Sequence, residues 1–239
     1  MAKVFAHRGF SGNYPENTML AYREAAKTGC AGIELDVQLS LDGEVVIIHD
    51  ERLDRTTNGT GLVRSYTLEE LQQFTANAAF DNTVPPQKIP TLREYFAFVK
   101  ETDLLTNIEM KTSVYDYPGL VQKVHDLVQE YGLEDRILYS SFNHYTMQQM
   151  LAINPAAKCG LITSSWIFDI GEYAQKHGAY SVNAVHGFLS KEICDDLHRH
   201  GVLAQAWTPN TEEELSRAIE NGCDLLITNY PDRALELLK

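Results

Sequence analysis

Glu34 and Asp36 stand two residues apart, and so do Glu109 and Lys111. On a β-strand residues i and i+2 point to the same side, so each pair presents its charges together, with Leu35 turned away. Three carboxylates that converge without partners repel and raise one another's pKa. A hard divalent cation removes that repulsion, and an all-oxygen set suits Mg²⁺ or Ca²⁺ rather than zinc. The alternative is a structural ring of ion pairs between these carboxylates and nearby Lys or Arg.

His7 and His49 each close an apolar run. Imidazole titrates near neutral pH, so two such rings beside a carboxylate cluster suit general acid and general base roles. Either one alone reads first as a half-buried histidine bonded to a neighbour. Of the remaining histidines, His125, His144, His177, His198 and His200 read as solvated surface, and only His186 is kept in view. Arg8 and Lys111 suit a phosphate, Arg as a bidentate fork and Lys as a point charge, or else each forms a salt bridge. Phe142 and Trp207 line an apolar flank of a pocket or fill a core. Glu16 and Asn17, within Pro15-Glu16-Asn17-Thr18, read from spacing as a helix start with an acid at the positive end of the dipole.

The elements that must position these groups come from repetition. Short β-rich apolar runs at residues 4–6, 32–37, 106–111, 136–140, 158–163, 180–184, 202–207 and 224–228 alternate with polar-faced helical segments. Eight strands joined by helices predict right-handed crossovers and closure into a (β/α)8 TIM barrel, an α/β fold of about 250 residues. The chain has 239 residues, 44% of them hydrophobic, which suits one domain spanning 1–239. Asn17 or Thr18 caps the first helix and Gly29 ends it; Thr211 opens another that closes around Asn221-Gly222. Residues 51–90 break the rhythm as an insertion between the second strand and its helix, with one short helix predicted at 67–74. Long loops in compact domains usually cover a site.

The formal net charge of −13 argues against nucleic acid and anionic membranes as partners. A phosphate substrate would therefore need local positive charge, from a bound cation or from aimed Arg and Lys. No apolar run approaches the roughly 20 residues that span a bilayer, so no stable membrane insertion is expected. The segment starting at Met1 runs straight into a strand and reads as no signal peptide. Cys30, Cys159, Cys194 and Cys223 have no paired spacing and read as reduced core thiols of a cytoplasmic protein. The expected oligomeric state is a monomer or a homodimer.

His7-Arg8-Gly9, Pro15-Glu16-Asn17-Thr18, Glu34-x-Asp36, Asp42-Gly43 with His49-Asp50, and Leu53-x-Arg55-Thr56-Thr57-x-Gly59-x-Gly61 occur in that order. Pro90-Thr91-Leu92, Glu109-x-Lys111, Trp207-Thr208-x-Asn210 and Gly222-Cys223-Asp224 through Thr228-x-x-Pro231 follow. Together they resemble the glycerophosphodiester phosphodiesterase family, over nearly the whole chain and most weakly over residues 113–206. The resemblance implies a (β/α)8 barrel with an insertion after its second strand, and hydrolysis of deacylated phospholipids to an alcohol and glycerol 3-phosphate with one divalent cation. It implies Glu34, Asp36 and Glu109 as metal ligands, and His7 and His49 as the acid/base pair. Arg8 and Lys111 would contact phosphate, and Glu16 and Asn17 would support the ligands. Asn229 is given no weight.

The attacking oxygen is left open between water and the substrate's 2-hydroxyl, and His49 is placed on the leaving-group side. Three rivals are weighed: a barrel that enolises sugars, a non-catalytic headgroup-binding barrel, and a lysophospholipase D acting on lipids with one acyl chain. The first lacks a reason for clustered phosphate donors, and the second would have lost a histidine or ligand carboxylate. The third would need an apolar entrance, for which the patch at residues 76–80 is the candidate.

Overall fold

The computed structural model describes residues 2–77, 80 and 84–239. In chain order the elements are β1 (Lys3–His7), α1 (Met19–Thr28), β2 (Gly32–Leu39), β3 (Val45–Ile47), α2 (Leu68–Leu71), α3 (Leu92–Val99), β4 (Leu105–Met110) and α4 (Leu120–Tyr131). They continue as β5 (Ile137–Ser141), α5 (His144–Ile153), β6 (Lys158–Thr163), α6 (Ile170–Lys176), β7 (Ser181–Val185), α7 (Lys191–Arg199), β8 (Leu203–Trp207), α8 (Glu212–Glu220), β9 (Leu225–Thr228) and α9 (Pro231–Leu237).

Eight strands, β1, β2 and β4 to β9, pair in parallel, and β1 bonds to both β2 and β9, which closes the barrel. Alternation along the strands separates two layers. Ile33, Leu35 and Val37 of β2 face outward into the main core with Tyr22, Tyr95 and Phe96 of the helices. Inside the barrel, Phe5, Leu138, Leu225 and Ile227 form a small apolar plug. Above that plug the inward positions turn polar: Glu34, Asp36, Asn107, Glu109, Ser140 and Asn183 are all buried.

The predicted strands match the barrel strands to within a residue or two, and 158–163 coincides with β6. One strand lies outside that reading. Val45–Ile47 forms β3, antiparallel to β2, because the turn at Asp42-Gly43 folds the chain straight back. Gly43 takes φ 82°, the left-handed value such a turn needs. Thr18 and Thr211 cap α1 and α8 as expected, and Gly29 ends α1. Within residues 51–90 the helix predicted at 67–74 is shorter, Leu68–Leu71, opened by a capping box between Thr67 and Glu70. In the patch at 76–80, residues 78 and 79 lie outside the described residues.

Two side-chain readings need correction. His125 is buried on α4, not solvated, because its position falls on the apolar face between Val121, Val124 and Val128. His144 is half-buried, bonded to the Tyr173 hydroxyl and the Ile162 carbonyl. All four cysteines are buried and unpaired, although folding brings Cys194 and Cys223 to 3.9 Å despite their sequence separation.

Candidate active site

The polar groups gather at the C-terminal ends of the barrel strands, around a cavity of about 390 Å³. His7, Arg8, Glu34, His49, Glu109 and Lys111 line one part of it; Phe142, Ile162, Trp207 and Ile227 line another. Asn107, Ser140 and Asn183 also line it, and Asn107 Oδ1 and Ser140 Oγ are buried there without hydrogen-bond partners among the described residues. His186 does not line the cavity; its Nε2 lies 3.7 Å from Glu214.

Register explains the carboxylates. Asp36 pairs with Glu109 between β2 and β4, and Glu34 sits two residues below Asp36. One oxygen from each of Glu34, Asp36 and Glu109 lies within 4.8 Å of the others, and all three side chains are buried. Burial, and then the charges of Asp36 and Glu109, push Glu34 well above the usual carboxylate range. Glu109 is raised for the same reasons, despite its 2.7 Å bond from Lys111 Nζ. Asp36 also suffers from burial, but Arg8, His49, Lys111 and a bond from Asn17 outweigh it and hold its carboxyl below its ordinary value. Asp36 Oδ1 is buried with no hydrogen-bond partner among the described residues. Two carboxylates strained upward, an orphaned oxygen and an all-oxygen donor set fit a hard divalent cation.

The residues after β1 and before α1 frame this cluster. Arg8 donates its backbone N–H to Glu34 Oε2 at 3.0 Å, and its guanidinium reaches Glu16 Oε1 at 2.7 Å and Asp36 Oδ2 at 3.3 Å. Asn17 donates to Asp36 Oδ2 at 2.8 Å and accepts from the Tyr22 hydroxyl at 2.9 Å. Arg8 and Asn17 adopt φ of 55° and 54°, left-handed values that side chains other than glycine rarely take. Such strain collects where a side chain must be aimed. Asn17 thus belongs to the site, and Thr18 alone is the helix cap.

Each of the two site histidines is held at Nδ1. His7 Nδ1 is 2.6 Å from Asn229 Oδ1, which also accepts from Ser11 Oγ at 3.1 Å. The amide oxygen as acceptor puts the ring proton on Nδ1 and leaves Nε2, 3.9 Å from Glu34, as a lone pair at the cavity. Burial, then Arg8, lowers the His7 pKa to about 3, although the Asn229 bond works the other way. His49 Nδ1 donates to Asp50 Oδ1 at 2.6 Å. The stretch that carries His49 is set by buried Gln38, whose amide donates to the carbonyls of Ile48, His49 and Asp50. Asp50 is held down to about 2 by its hydrogen bonds from Arg55 and then His49, against burial.

The structure therefore brings together His7, Arg8, Glu34, Asp36, His49, Glu109, Lys111, Phe142 and Trp207, with Glu16 and Asn17 bonded to them from behind. Phe142 faces the cavity rather than filling the barrel, edge-on to Trp207 at 5.7 Å. Sequence reasoning missed the partners. Asn229 holds His7, and Asp50 and Arg55 hold His49, yet none of the three received a role. For Asn229 a signal existed: barrel closure places the end of the last strand beside the end of the first.

A sequence profile described as the glycerophosphoryl diester phosphodiesterase family matches residues 7–233. The chain belongs to this family. It is 39% identical over 236 residues to the glycerophosphodiester phosphodiesterase of Caldanaerobacter subterraneus subsp. tengcongensis, covering 99% of this chain and 97% of that protein. It is also 39% identical to the glycerophosphodiester phosphodiesterase of Bacillus altitudinis over 240 residues, with 99% and 98% covered. Among solved structures, a phosphodiesterase of Oleispira antarctica in complex with sn-glycerol 3-phosphate superposes with a TM-score of 0.87 at 28% identity, over 100% of this chain and 97% of that one. A crystal structure from Silicibacter pomeroyi at 20% identity shares the fold, with a TM-score of 0.90 over 100% and 93% of the two chains. As a member of the glycerophosphoryl diester phosphodiesterase family the chain is an enzyme, a phosphoric diester hydrolase.

Proposed function

We propose that this enzyme hydrolyses glycerophosphodiesters to an alcohol and glycerol 3-phosphate by histidine acid/base catalysis, at one Mg²⁺ or Ca²⁺ held by Glu34, Asp36 and Glu109. The observation that carries the reading is one cavity lined by Glu34, Glu109, two histidines held at Nδ1 and two cations, Arg8 and Lys111, with an oxygen of buried Asp36 within 4.8 Å of those of the two glutamates. The relatives named as glycerophosphodiester phosphodiesterases support it, as does the product bound to the Oleispira antarctica enzyme. When bound, the cation would offset the clustered carboxylates and the charge that grows on the phosphate.

The chain's own residues divide the remaining work. Arg8 and Lys111 bind the phosphate oxygens, and because their carboxylate partners hold them in place, little reorganisation is needed as charge develops. His7 is the base. Its Nε2 carries a lone pair at ordinary pH, its Asn229 partner is neutral, and it accepts the proton of the attacking oxygen, water or the substrate's own 2-hydroxyl. His49 is the acid. The Asp50 carboxylate on its Nδ1 stabilises the ring's positive charge before the proton passes from Nε2 to the departing alcohol. Phe142 and Trp207 supply an apolar wall beside the phosphate. Residues 51–90 act as an insertion, near the active site, of a single domain spanning 1–239.

The test is release of glycerol 3-phosphate from glycerophosphocholine and glycerophosphoethanolamine with Mg²⁺, with Ca²⁺ and with chelator. Release that requires a cation supports the reading. No release under either cation, with cation binding intact by calorimetry, overturns it. One observation favours a second substrate, a lysolipid: Tyr145 in the first turn of α5, and Trp166 and Phe168 in the loop after β6, are 76%, 62% and 97% exposed at the same end of the barrel. Lysophosphatidylcholine in the same assay tests that reading. Among the described residues no helix is long and apolar enough to cross a membrane, and the four unpaired buried thiols support a cytoplasmic setting.

A further inference from the structure

The geometry assigns Arg55 a positioning role: it fixes the Asp50 carboxylate, and through it the ring of His49, by tying both to Glu16 across the mouth. Four hydrogen bonds carry this. Arg55 Nε and Nη2 donate to the two oxygens of Asp50 at 2.7 and 2.9 Å, and Nη1 and Nη2 donate to the two oxygens of Glu16, both at 2.8 Å. The Asp50 Oδ1 that accepts from Nη2 is the atom that accepts from His49 Nδ1. The Glu16 Oε1 that accepts from Nη2 is the atom that accepts from Arg8 Nη1. One unbroken run of polar contacts therefore links Asp36, Arg8, Glu16, Arg55, Asp50 and His49.

Two features separate this arrangement from an ordinary surface ion pair. Arg55 is nearly half exposed, where a pair by itself adds little to stability. Yet a dedicated loop presents it. Buried Leu53 anchors that loop, bonding N–H to the Gly61 carbonyl, and Thr57 Oγ1 bridges the Leu53 carbonyl and the Gly59 N–H. Gly61 takes φ 98°, and a Cβ on Gly59 would meet the Phe74 ring at 2.7 Å. The motif Leu53-x-Arg55-Thr56-Thr57-x-Gly59-x-Gly61 thus builds a scaffold with Arg55 at its working position. Second, the His49 side chain is 30% exposed, and its ring has one hydrogen bond among the described residues, to Asp50. Without a fixed Asp50 the ring is free to turn. Arg55 does not line the cavity, so it acts through Asp50 rather than on substrate.

The inference rests on the reading of His49 as the acid, and the test separates the two. Turnover is measured, at a saturating concentration of the supporting cation, on glycerophosphocholine and on the p-nitrophenyl ester of glycerol 3-phosphate. The alkoxide leaving group needs a proton; p-nitrophenolate departs without one. Arg55→Ala is expected to lower kcat on glycerophosphocholine by about 10- to 100-fold, the scale of an acid that is misaligned, and to leave the p-nitrophenyl ester within about twofold. Arg55→Lys, which keeps the charge but not the planar double fork, is expected to show the same selectivity. It replaces Arg55→Ala if that variant fails to fold by thermal melting. Equal losses on both substrates, or no loss on either, overturn the positioning role of Arg55. If His49→Ala itself shows no dependence on the leaving group, the acid assignment fails instead.

Discussion

At the β1, β2 and β3 side of the mouth, His7, Arg8, Asp36 and His49 are each fixed by another polar side chain. At the β5 to β8 side, Phe142 and Trp207 are fixed largely by packing against each other, with one bond from the Trp207 indole N–H to the Asn183 carbonyl at 3.0 Å. The first half is a network in which most members have two partners, so removing one misaligns the next. The second half is a wall, and its residues should act nearly independently. The ionic half is built to hold charge that the folded chain alone does not stabilise, while the aromatic half is stable as it stands.

The sharpest way to break this division is to remove a histidine. His7→Ala and His49→Ala should each lower turnover about 10²-fold or more, the usual size of a lost acid or base. Near-normal turnover in both, measured on glycerophosphocholine, would show that the ionic half is only structural. Glu34→Gln sharpens the contrast from the other direction. Burial and like charges raise the Glu34 carboxyl, so its ionised form opposes folding when no cation is present. In chelator the Gln variant should therefore melt at least about 2 °C above the parent, roughly the shift per kcal/mol for a chain of this size, while its catalysis is lost. An unchanged or lower melting temperature would mean that the carboxylates are already balanced by Arg8 and Lys111.

Trp207→Ala should behave as a wall residue, costing about 2 kcal/mol of stability for its half-buried ring and raising KM more than it lowers kcat. A loss confined to kcat would place Trp207 in the network instead. The acid range tests Asp50. Its pKa in the folded chain is about 2, below the ordinary 3.8, so the stabilisation is present above the ordinary value and lost as pH falls through about 2. The melting difference between the parent and Asp50→Asn should persist down to about pH 5 and close only in stronger acid. Closure already near neutral pH would point to a different group. The smallest effect belongs to the exposed rim: Phe168→Ser should stay within about 0.5 kcal/mol of the parent in stability, with turnover of water-soluble diesters unchanged.

The barrel was legible because its strands and helices differ in hydrophobic period and because the eight runs recur at regular spacing. Residues two apart on those runs also revealed the charged pairs, since Glu34 with Asp36 and Glu109 with Lys111 need only strand geometry to share a side. The caps at Thr18 and Thr211 were local chemistry, readable from a few residues. Strand β3 was not read as a strand, because its three residues are too short for a periodic signal and only pairing with β2 defines it.

What remained hidden was the identity of partners. Asn229 lies 222 residues from His7 along the chain and meets it only because β9 closes against β1. Arg55 lies 39 residues from Glu16, and nothing in either segment says that they touch. The amino-acid sequence by itself determined the fold class and which carboxylates and histidines stand at strand ends, since those depend on periodicity and side-chain chemistry. Only the tertiary structure decided which nitrogen of each histidine is free, and which carboxylates are strained or satisfied. Most of those properties belong to contacts between distant segments that only the folded barrel creates, and even the bond of His49 to its chain neighbour Asp50 is held in place by Arg55 and Glu16.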